Sequence, residues 1–252
     1  MSLTSNASWF SSPRPNPRAR LRLFCFPYAG GGAVIYRAWP EMLPPEIEIS
    51  AAQLPGRGNR IKEAPYTALT PLVQATSEAI LPHLDRPFAF FGHSMGAMIA
   101  FELARHLRAS GNPQPVHLFV SGRRAPQIPR APRVRYDAPE PEFIEELRAL
   151  EGTPPEVLSH PELMQLMLPL LRADFSVVHT YAYAPAPPLD CPITAIGGLQ
   201  DEEANREQLE AWREHTNASF KARMLQGGHF FLNNERALLL RLIAQELRQY
   251  IS

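Results

Sequence analysis

Apolar residues gather along the chain in short runs that alternate with stretches of helical spacing. Residues 88–91 and 116–121 read as buried strands, and residues 21–26 and 192–198 as apolar strands that end in glycine turns. Residues 46–54 alternate, with Ile47, Ile49 and Ala51 on one face, and residues 220–225 form a further strand pattern. Between them, residues 34–43 are helical up to Pro44-Pro45. A helix capped by Thr70, with Pro71 in its first turn, runs through Leu72, Ile80 and Leu84. Ala97, Ala100, Phe101, Ala104 and Leu107 recur on one helical face that ends at Ser110-Gly111-Asn112. Residues 209–215 and 234–250 are helical, the latter amphipathic. Strands alternating with helices predict an α/β fold around a mostly parallel sheet. The alternation fails only in the middle. Residues 125–140 are crowded with Pro and Arg, residues 141–150 are helical, and Gly152-Thr153-Pro154-Pro155 breaks them. A longer helix then spans 161–181, with Leu163, Leu166, Met167, Leu170 and Leu171 as a broad apolar face and a kink expected at Pro169. The expectation is a main domain over 21–252, a helical lid inserted at about 125–185, and an extended lead-in over 1–20 from which Trp9-Phe10 can dock on the body.

The chemistry sits at the seams. The strand 88–91 runs into Gly92-His93-Ser94-Met95-Gly96 and directly on into a helix. Such a Gly-x-Ser-x-Gly turn resembles the nucleophile elbow of the α/β-hydrolases, where the serine stands on a strained bend and the glycines leave room for neighbouring backbone. The N–H of Met95 at the helix start can meet a developing oxyanion. The glycine-rich stretch Tyr28-Ala29-Gly30-Gly31-Gly32 follows the first apolar strand without a Walker signature or a well-fitting Gly-x-Gly-x-x-Gly. With the elbow present it reads as the second half of an oxyanion hole, with Ala29 as the N–H donor and Tyr28 as the neighbouring choice. A serine nucleophile needs a histidine base and a carboxylate to orient it, in the chain order Ser, acid, His. His229 follows a late strand and a Gly-Gly loop; Asp201 follows a strand and its own Gly-Gly turn. Glu202 and Glu203 are the alternatives to Asp201. Asp174 falls in the lid, Asp190 before its strand, and His93 is expected to pack beside the site. The remaining histidines read as ordinary surface or core residues.

Composition narrows the classes. The chain has 252 residues, 45% hydrophobic and 20% charged, with zero formal net charge, so nothing global points to nucleic acid or an anionic membrane. Its two cysteines, Cys25 and Cys191, lie in apolar runs and read as buried thiols, not as a disulfide framework. Neither an HExxH motif nor a Cys/His cluster suggests a metal. No signal-like apolar stretch precedes Leu21 and no run approaches the roughly 20 apolar residues of a membrane span. A cytoplasmic monomer is the default expectation. The Pro55-Gly56-Arg57-Gly58-Asn59-Arg60 turn reads first as a solvated loop with arginine salt bridges. Its functional alternative is a pair of arginines at the site mouth that meets a phosphate or an acidic partner.

Four motifs in order resemble the type II thioesterases, the stand-alone editing enzymes of polyketide and non-ribosomal peptide synthesis. They are Phe26-Pro27-Tyr28-Ala29-Gly30-Gly31, Gln53-Leu54-Pro55-Gly56-Arg57-Gly58, Phe91-Gly92-His93-Ser94-Met95-Gly96 and Gly227-Gly228-His229-Phe230-Phe231. The resemblance covers about residues 20–250. It implies Ser94, Asp201 and His229 as nucleophile, acid and base, and the backbones of Ala29 and Met95 as oxyanion donors. Glu202 departs from the proline that often follows the acid in that family. The implied activity is hydrolysis of acyl groups from the phosphopantetheine arm of an acyl or peptidyl carrier protein, with no metal or cofactor. The lid's apolar face would hold a short acyl chain. Three rival readings remain at this point: a carboxylesterase or lipase of the same fold, a catalytically silent carrier-binding member, and a type I terminal domain that cyclises its product.

Overall fold

The computed structural model describes residues 8–129, 135–150, 152 and 155–252. The strands are β1 (Phe10–Ser11), β2 (Leu21–Phe26), β3 (Ile47–Ala52), β4 (Phe88–His93), β5 (Leu118–Ser121), β6 (Ile193–Gly198) and β7 (Phe220–Leu225). They form one sheet in the order β1-β3-β2-β4-β5-β6-β7. All neighbours pair in parallel except β1, which lies antiparallel on β3 with Phe10 opposite Ala52. The docking expected of Trp9-Phe10 is therefore realised as an edge strand: Phe10 is buried, and the Trp9 carbonyl accepts from the Gln53 N–H at 2.8 Å. The first part of the expected lead-in, residues 1–7, lies outside the described residues.

The near-continuous apolar runs are explained by burial on both faces. In the central strands Phe24, Phe26, Phe88 and Phe90 point to one side, where helices α1 (Leu69–Ile80) and α2 (Met95–Ala109) cover them. Leu23, Cys25, Ala89 and Phe91 point to the other side, against Tyr36, Trp39 and the C-terminal helices. Both cysteines are buried free thiols. Helices α3 (Glu140–Ala149), α4 (Pro155–Leu158) and α5 (Pro161–Thr180) separate β5 from β6. They share a small apolar cluster of their own around Phe143, Leu147, Met164, Leu168 and Leu171. After β6 come α6 (Arg206–Glu210), then β7, α7 (Phe231–Asn234) and α8 (Arg236–Leu247).

Several local expectations shift. Thr70 does not cap α1: the helix begins at Leu69 with Ala68 at its N-cap and no side-chain cap. Pro71 still falls within the first turn, where its missing N–H costs nothing. Residues 34–43 form two 3₁₀ turns, Ala33–Tyr36 and Trp39–Glu41, that wedge Tyr36 and Trp39 edge-on against Phe91. Helix α5 continues through Pro169. Its buried stripe is Met164, Leu168, Leu171 and Val178, whereas Leu163 and Leu166, read as part of the apolar face, are exposed. Residues 130–134 and the break at 153–154 lie outside the described residues.

Two predictions follow from this packing. A Cβ on Gly96 would stand 2.0 Å from the carbonyl oxygen of Phe26, and that neighbour is backbone. Gly96→Ala should therefore cost about 3 kcal/mol or more, read as a fall in urea midpoint. His117 stacks on Phe119 and bonds Thr194; His215 bonds Gln127. Burial holds both to a pKa of about 4. The unfolded chain takes up these protons near 6.5, so their contribution to stability is present above that pH and is lost as pH falls toward 4. Urea unfolding from pH 7.5 to 4.5 should show this slope, and His117→Gln should flatten it.

Candidate active site

The sheet brings the candidate residues to one edge. In register, Phe26 faces Gly92, His93 faces Ser121 and Gly198 faces Leu225, so the carboxyl ends of the parallel strands form a common rim. Ala29 follows β2, Ser94 follows β4, Asp201 follows β6 and His229 follows β7. Open α/β sheets place their ligand sites at that rim.

Ser94 sits at φ 54°, ψ −112°, alone among the described non-glycine residues with a positive φ. Such a backbone costs on the order of 1–3 kcal/mol and persists only where surroundings enforce it. Here they do. The Ser94 N–H donates to the Ser121 carbonyl at 2.8 Å, and a Cβ on Gly92 would lie 2.0 Å from the Gly96 oxygen. The turn is thus locked between β5 and the start of α2. Met95 opens α2, so its N–H has no acceptor one turn back.

His229 and Asp201 meet directly. His229 Nδ1 lies 3.0 Å from Asp201 Oδ2 and 3.2 Å from Oδ1; the Asp201 side chain is fully buried and that of His229 is 13% exposed. The two loops are laced together by backbone bonds from Leu199 to Leu225 and from Gln200 to Gly227. They approach so closely that a Cβ on Gly198 would lie 2.4 Å from the carbonyl oxygens of both Gly227 and Gly228. Of the three carboxylates considered from sequence, Asp201 hydrogen-bonds the His229 ring. Its second role is local: Oδ1 accepts from the Glu203 N–H at 2.8 Å. Glu203 borders the cavity instead.

That cavity holds Ser94, His229, Tyr28 and Ala29 on its floor, with Leu171, Phe175 and Val178 of α5 and Leu147 of α3 above. It has room for about 40 Å³ of a water-sized sphere, enough for a few waters at most. In the loop after β2, Gly31 N–H donates to the Tyr28 carbonyl, Gly30 N–H to Asp174 Oδ2 and Ala33 N–H to Gln53 Oε1. The Ala29 N–H has no partner among the described residues. A serine, a carboxylate-bound imidazole and unspent N–H groups around one enclosed space have the composition that acyl transfer through a covalent intermediate requires.

His93 does pack behind this constellation. It is fully buried, its Nδ1 lies 2.9 Å from Ser121 Oγ, and its ring centre is 5.2 Å from that of His229. Burial holds its pKa well below the ordinary histidine value, so it stays neutral. The arginine turn is a correction. Arg57 and Arg60 are 6% and 5% exposed. Arg60 bonds Glu63 and lies over Trp9. Arg57 forms a two-pronged ion pair with Asp174 of α5, both contacts at 2.8 Å. Neither a solvated loop nor a free anion-binding pair describes them. Sequence reading had passed over this pairing, although Asp174 shares a helical face with Leu170, Leu171, Val177 and Val178, a stripe on which a charge needs a partner. Among the described residues no group of three or more His, Cys, Asp or Glu side chains is arranged to hold a metal ion, and no helix is long and apolar enough to cross a membrane.

Comparison with known proteins identifies the family. The family profile of the Thioesterase domain matches residues 21–247. The gramicidin S biosynthesis protein GrsT of Aneurinibacillus migulanus is 50% identical over 240 residues, covering 95% of this chain and 94% of that protein. The protein named linear gramicidin dehydrogenase LgrE, from Brevibacillus parabrevis, is 48% identical over 250 residues, covering 98% and 95%. The solved structure of the type II thioesterase BorB from the borrelidin biosynthetic cluster superposes with a TM-score of 0.86 at 36% identity, covering 97% of this chain and 98% of that one. With the profile spanning β2 to β7 and these relatives aligned almost end to end, the chain belongs to the thioesterase family and is a thioester hydrolase of the α/β-hydrolase fold.

Proposed function

We propose that this protein removes acyl or aminoacyl groups from the phosphopantetheine arm of carrier proteins, clearing stalled chains in polyketide or non-ribosomal peptide synthesis. The observation that carries the reading is the strained Ser94 sharing one small, apolar-roofed cavity with His229 that Asp201 holds. The relatives' roles in gramicidin and borrelidin biosynthesis supply the substrate class.

In the mechanism, Ser94 Oγ attacks the thioester carbonyl while His229 Nε2 takes its proton. Asp201 accepts from Nδ1–H, fixes that tautomer and stabilises the imidazolium. The N–H groups of Ala29 and Met95 receive the oxyanion. Collapse expels the arm's thiolate, which leaves with the proton from His229. Water, deprotonated by the same histidine, then attacks the acyl-serine and returns the enzyme. The insertion at about 125–185 acts as a lid, because the enclosed volume is too small for an acyl chain and must enlarge when the arm enters. Leu147, Leu171, Phe175 and Val178 would line the acyl site.

The direct test is intact-mass analysis of acetyl- and propionyl-loaded carrier protein with the wild type and Ser94→Ala, beside a matched p-nitrophenyl ester. Loss of acyl from the carrier by the wild type alone is expected. Ester turnover with an untouched carrier would mark an esterase, and no turnover of either together with no fluorophosphonate labelling would mark a silent binder. Asp201→Asn should lower kcat by two to four orders of magnitude with little change in melting temperature, because the imidazole loses its tautomer and counter-charge while its shape is kept.

A further inference from the structure

The loop that carries Ala29 is not self-supporting. Tyr28 to Gly31 form a turn closed by the Gly31 N–H to the Tyr28 carbonyl at 2.9 Å, with Gly30 at φ 77° in its third position. A positive φ there is the mark of a type II turn, whose central peptide is flipped relative to type I. In this chain the N–H of that central peptide, on Gly30, donates to Asp174 Oδ2 at 2.7 Å. Asp174 comes from α5, on the far side of the cavity. Arg57 holds the carboxylate with both terminal nitrogens and bonds the Gly31 carbonyl at 2.8 Å. Gln53 completes the knot: its Oε1 accepts from the Ala33 N–H at 2.8 Å and its Nε2 donates to the Arg57 carbonyl at 2.9 Å. The side chains of Arg57 and Asp174 are 6% and 3% exposed.

We propose that the Arg57–Asp174 pair is a positioning device for the oxyanion donor. The argument rests on the catalytic reading above. Peptides are planar and trans, so the Ala29 N–H points opposite to the Tyr28 carbonyl, which the Gly31 N–H holds on the inner side of the turn. Asp174 fixes the next peptide plane. With both planes held, the direction of the Ala29 N–H is set before substrate arrives, which is the condition for a preorganised oxyanion hole. Arg57 has the complementary task. A bare carboxylate one residue from the donor would oppose the negative charge that develops there; the two-pronged guanidinium neutralises it. The pair thus supplies an acceptor to the turn without a net charge at the site.

The test separates positioning from simple stabilisation. A buried ion pair can often be exchanged for apolar residues of similar volume without loss of stability, so Arg57→Met/Asp174→Leu removes the Gly30 acceptor while sparing the fold. Asp174→Asn keeps an oxygen for Gly30 and gives up the charge. Two rates are read at a temperature where circular dichroism shows all variants folded: thioester hydrolysis on propionyl-loaded carrier, and covalent labelling of Ser94 by a fluorophosphonate, which uses the same donors and needs no carrier. The double variant should lose about 10- to 100-fold in kcat and in labelling rate, with KM within about threefold of the wild type. Asp174→Asn should recover most of both rates even if it melts lower. Equal labelling rates in the double variant and the wild type would overturn the inference, as would equal losses in the double variant and Asp174→Asn, or a loss confined to KM. An untouched carrier beside normal, variant-sensitive labelling would overturn the substrate assignment and leave the positioning role standing. Should the double variant not fold, Asp174→Ala against Asp174→Asn makes the same comparison with the same outcomes.

Discussion

The structure depends on a contact between two stretches of backbone. Where α2 leaves the elbow, Gly96 lies so close to the end of β2 that even a methyl group would overlap the Phe26 carbonyl, and Gly92 lies equally close to Gly96. That approach forces Ser94 into its left-handed bend and brings the nucleophile turn against the chain that continues into the Ala29 loop. Two parts of the candidate site, carried by different strands, are thereby placed side by side. The local strain, on the order of 1–3 kcal/mol, is set against a sheet buried on both faces by clusters that include Phe24, Phe26, Phe88 and Phe90 on one side and Phe91, Trp39 and Tyr36 on the other. A turn this tight is tolerated because the strands on either side cannot shift.

The same logic operates at the other end of the rim. Asp201 and His229 come from consecutive parallel strands whose exits are laced by backbone bonds, and Gly198 permits an approach that any side chain would block. The imidazole is held by a fully buried carboxylate and flanked by the rings of Phe230 and His93, at 5.1 and 5.2 Å. His93 is kept neutral by burial, so a second cation does not compete with an imidazolium on His229.

What could be read from sequence follows the range over which each physical rule acts. Strand and helix periodicity, the glycines of the elbow and the order of serine, acid and histidine are local signals, and each strand core from Leu21 to Leu225 was legible from them. The caps and short helices were not. Pro71 in the first turn resembles a partner for a Thr70 cap, yet the helix starts two residues earlier, with Ala68 at its N-cap, because a proline is tolerated anywhere in that turn. The face of α5 was misjudged because its sequence is apolar nearly all round: Leu163 and Leu166 are exposed while Met164 and Leu168 are buried, and only the neighbouring α3 decides which stripe turns inward. Arg57 and Asp174 are 117 positions apart, and no periodicity links them. Their partnership is a tertiary fact, hinted at only by an acidic residue on a buried stripe.

That partnership constrains how the cavity can open. The half of α5 from Leu170 to Val178 roofs Ser94 through Leu171, Phe175 and Val178, and it carries Asp174. Lifting it would separate a buried, two-pronged ion pair and release the Gly30 amide from its acceptor. Helix α3 carries no such tie. Its contacts with α5 are an apolar cluster around Phe143, Leu147 and Leu168, the Arg172 guanidinium over the Phe143 ring and one exposed hydrogen bond from Gln165 to Glu140, while Glu142 and Glu145 pair with exposed Arg135 and Arg148. Exposed pairs of this kind contribute about 0–1 kcal/mol. Under the proposed function, an acyl arm would be admitted most easily at α3 and the first turns of α5, with the Arg57–Asp174 knot as the fixed point. The proposed acyl site would then enlarge by sliding one apolar wall while Ala29, Ser94 and His229 stay where the sheet has put them.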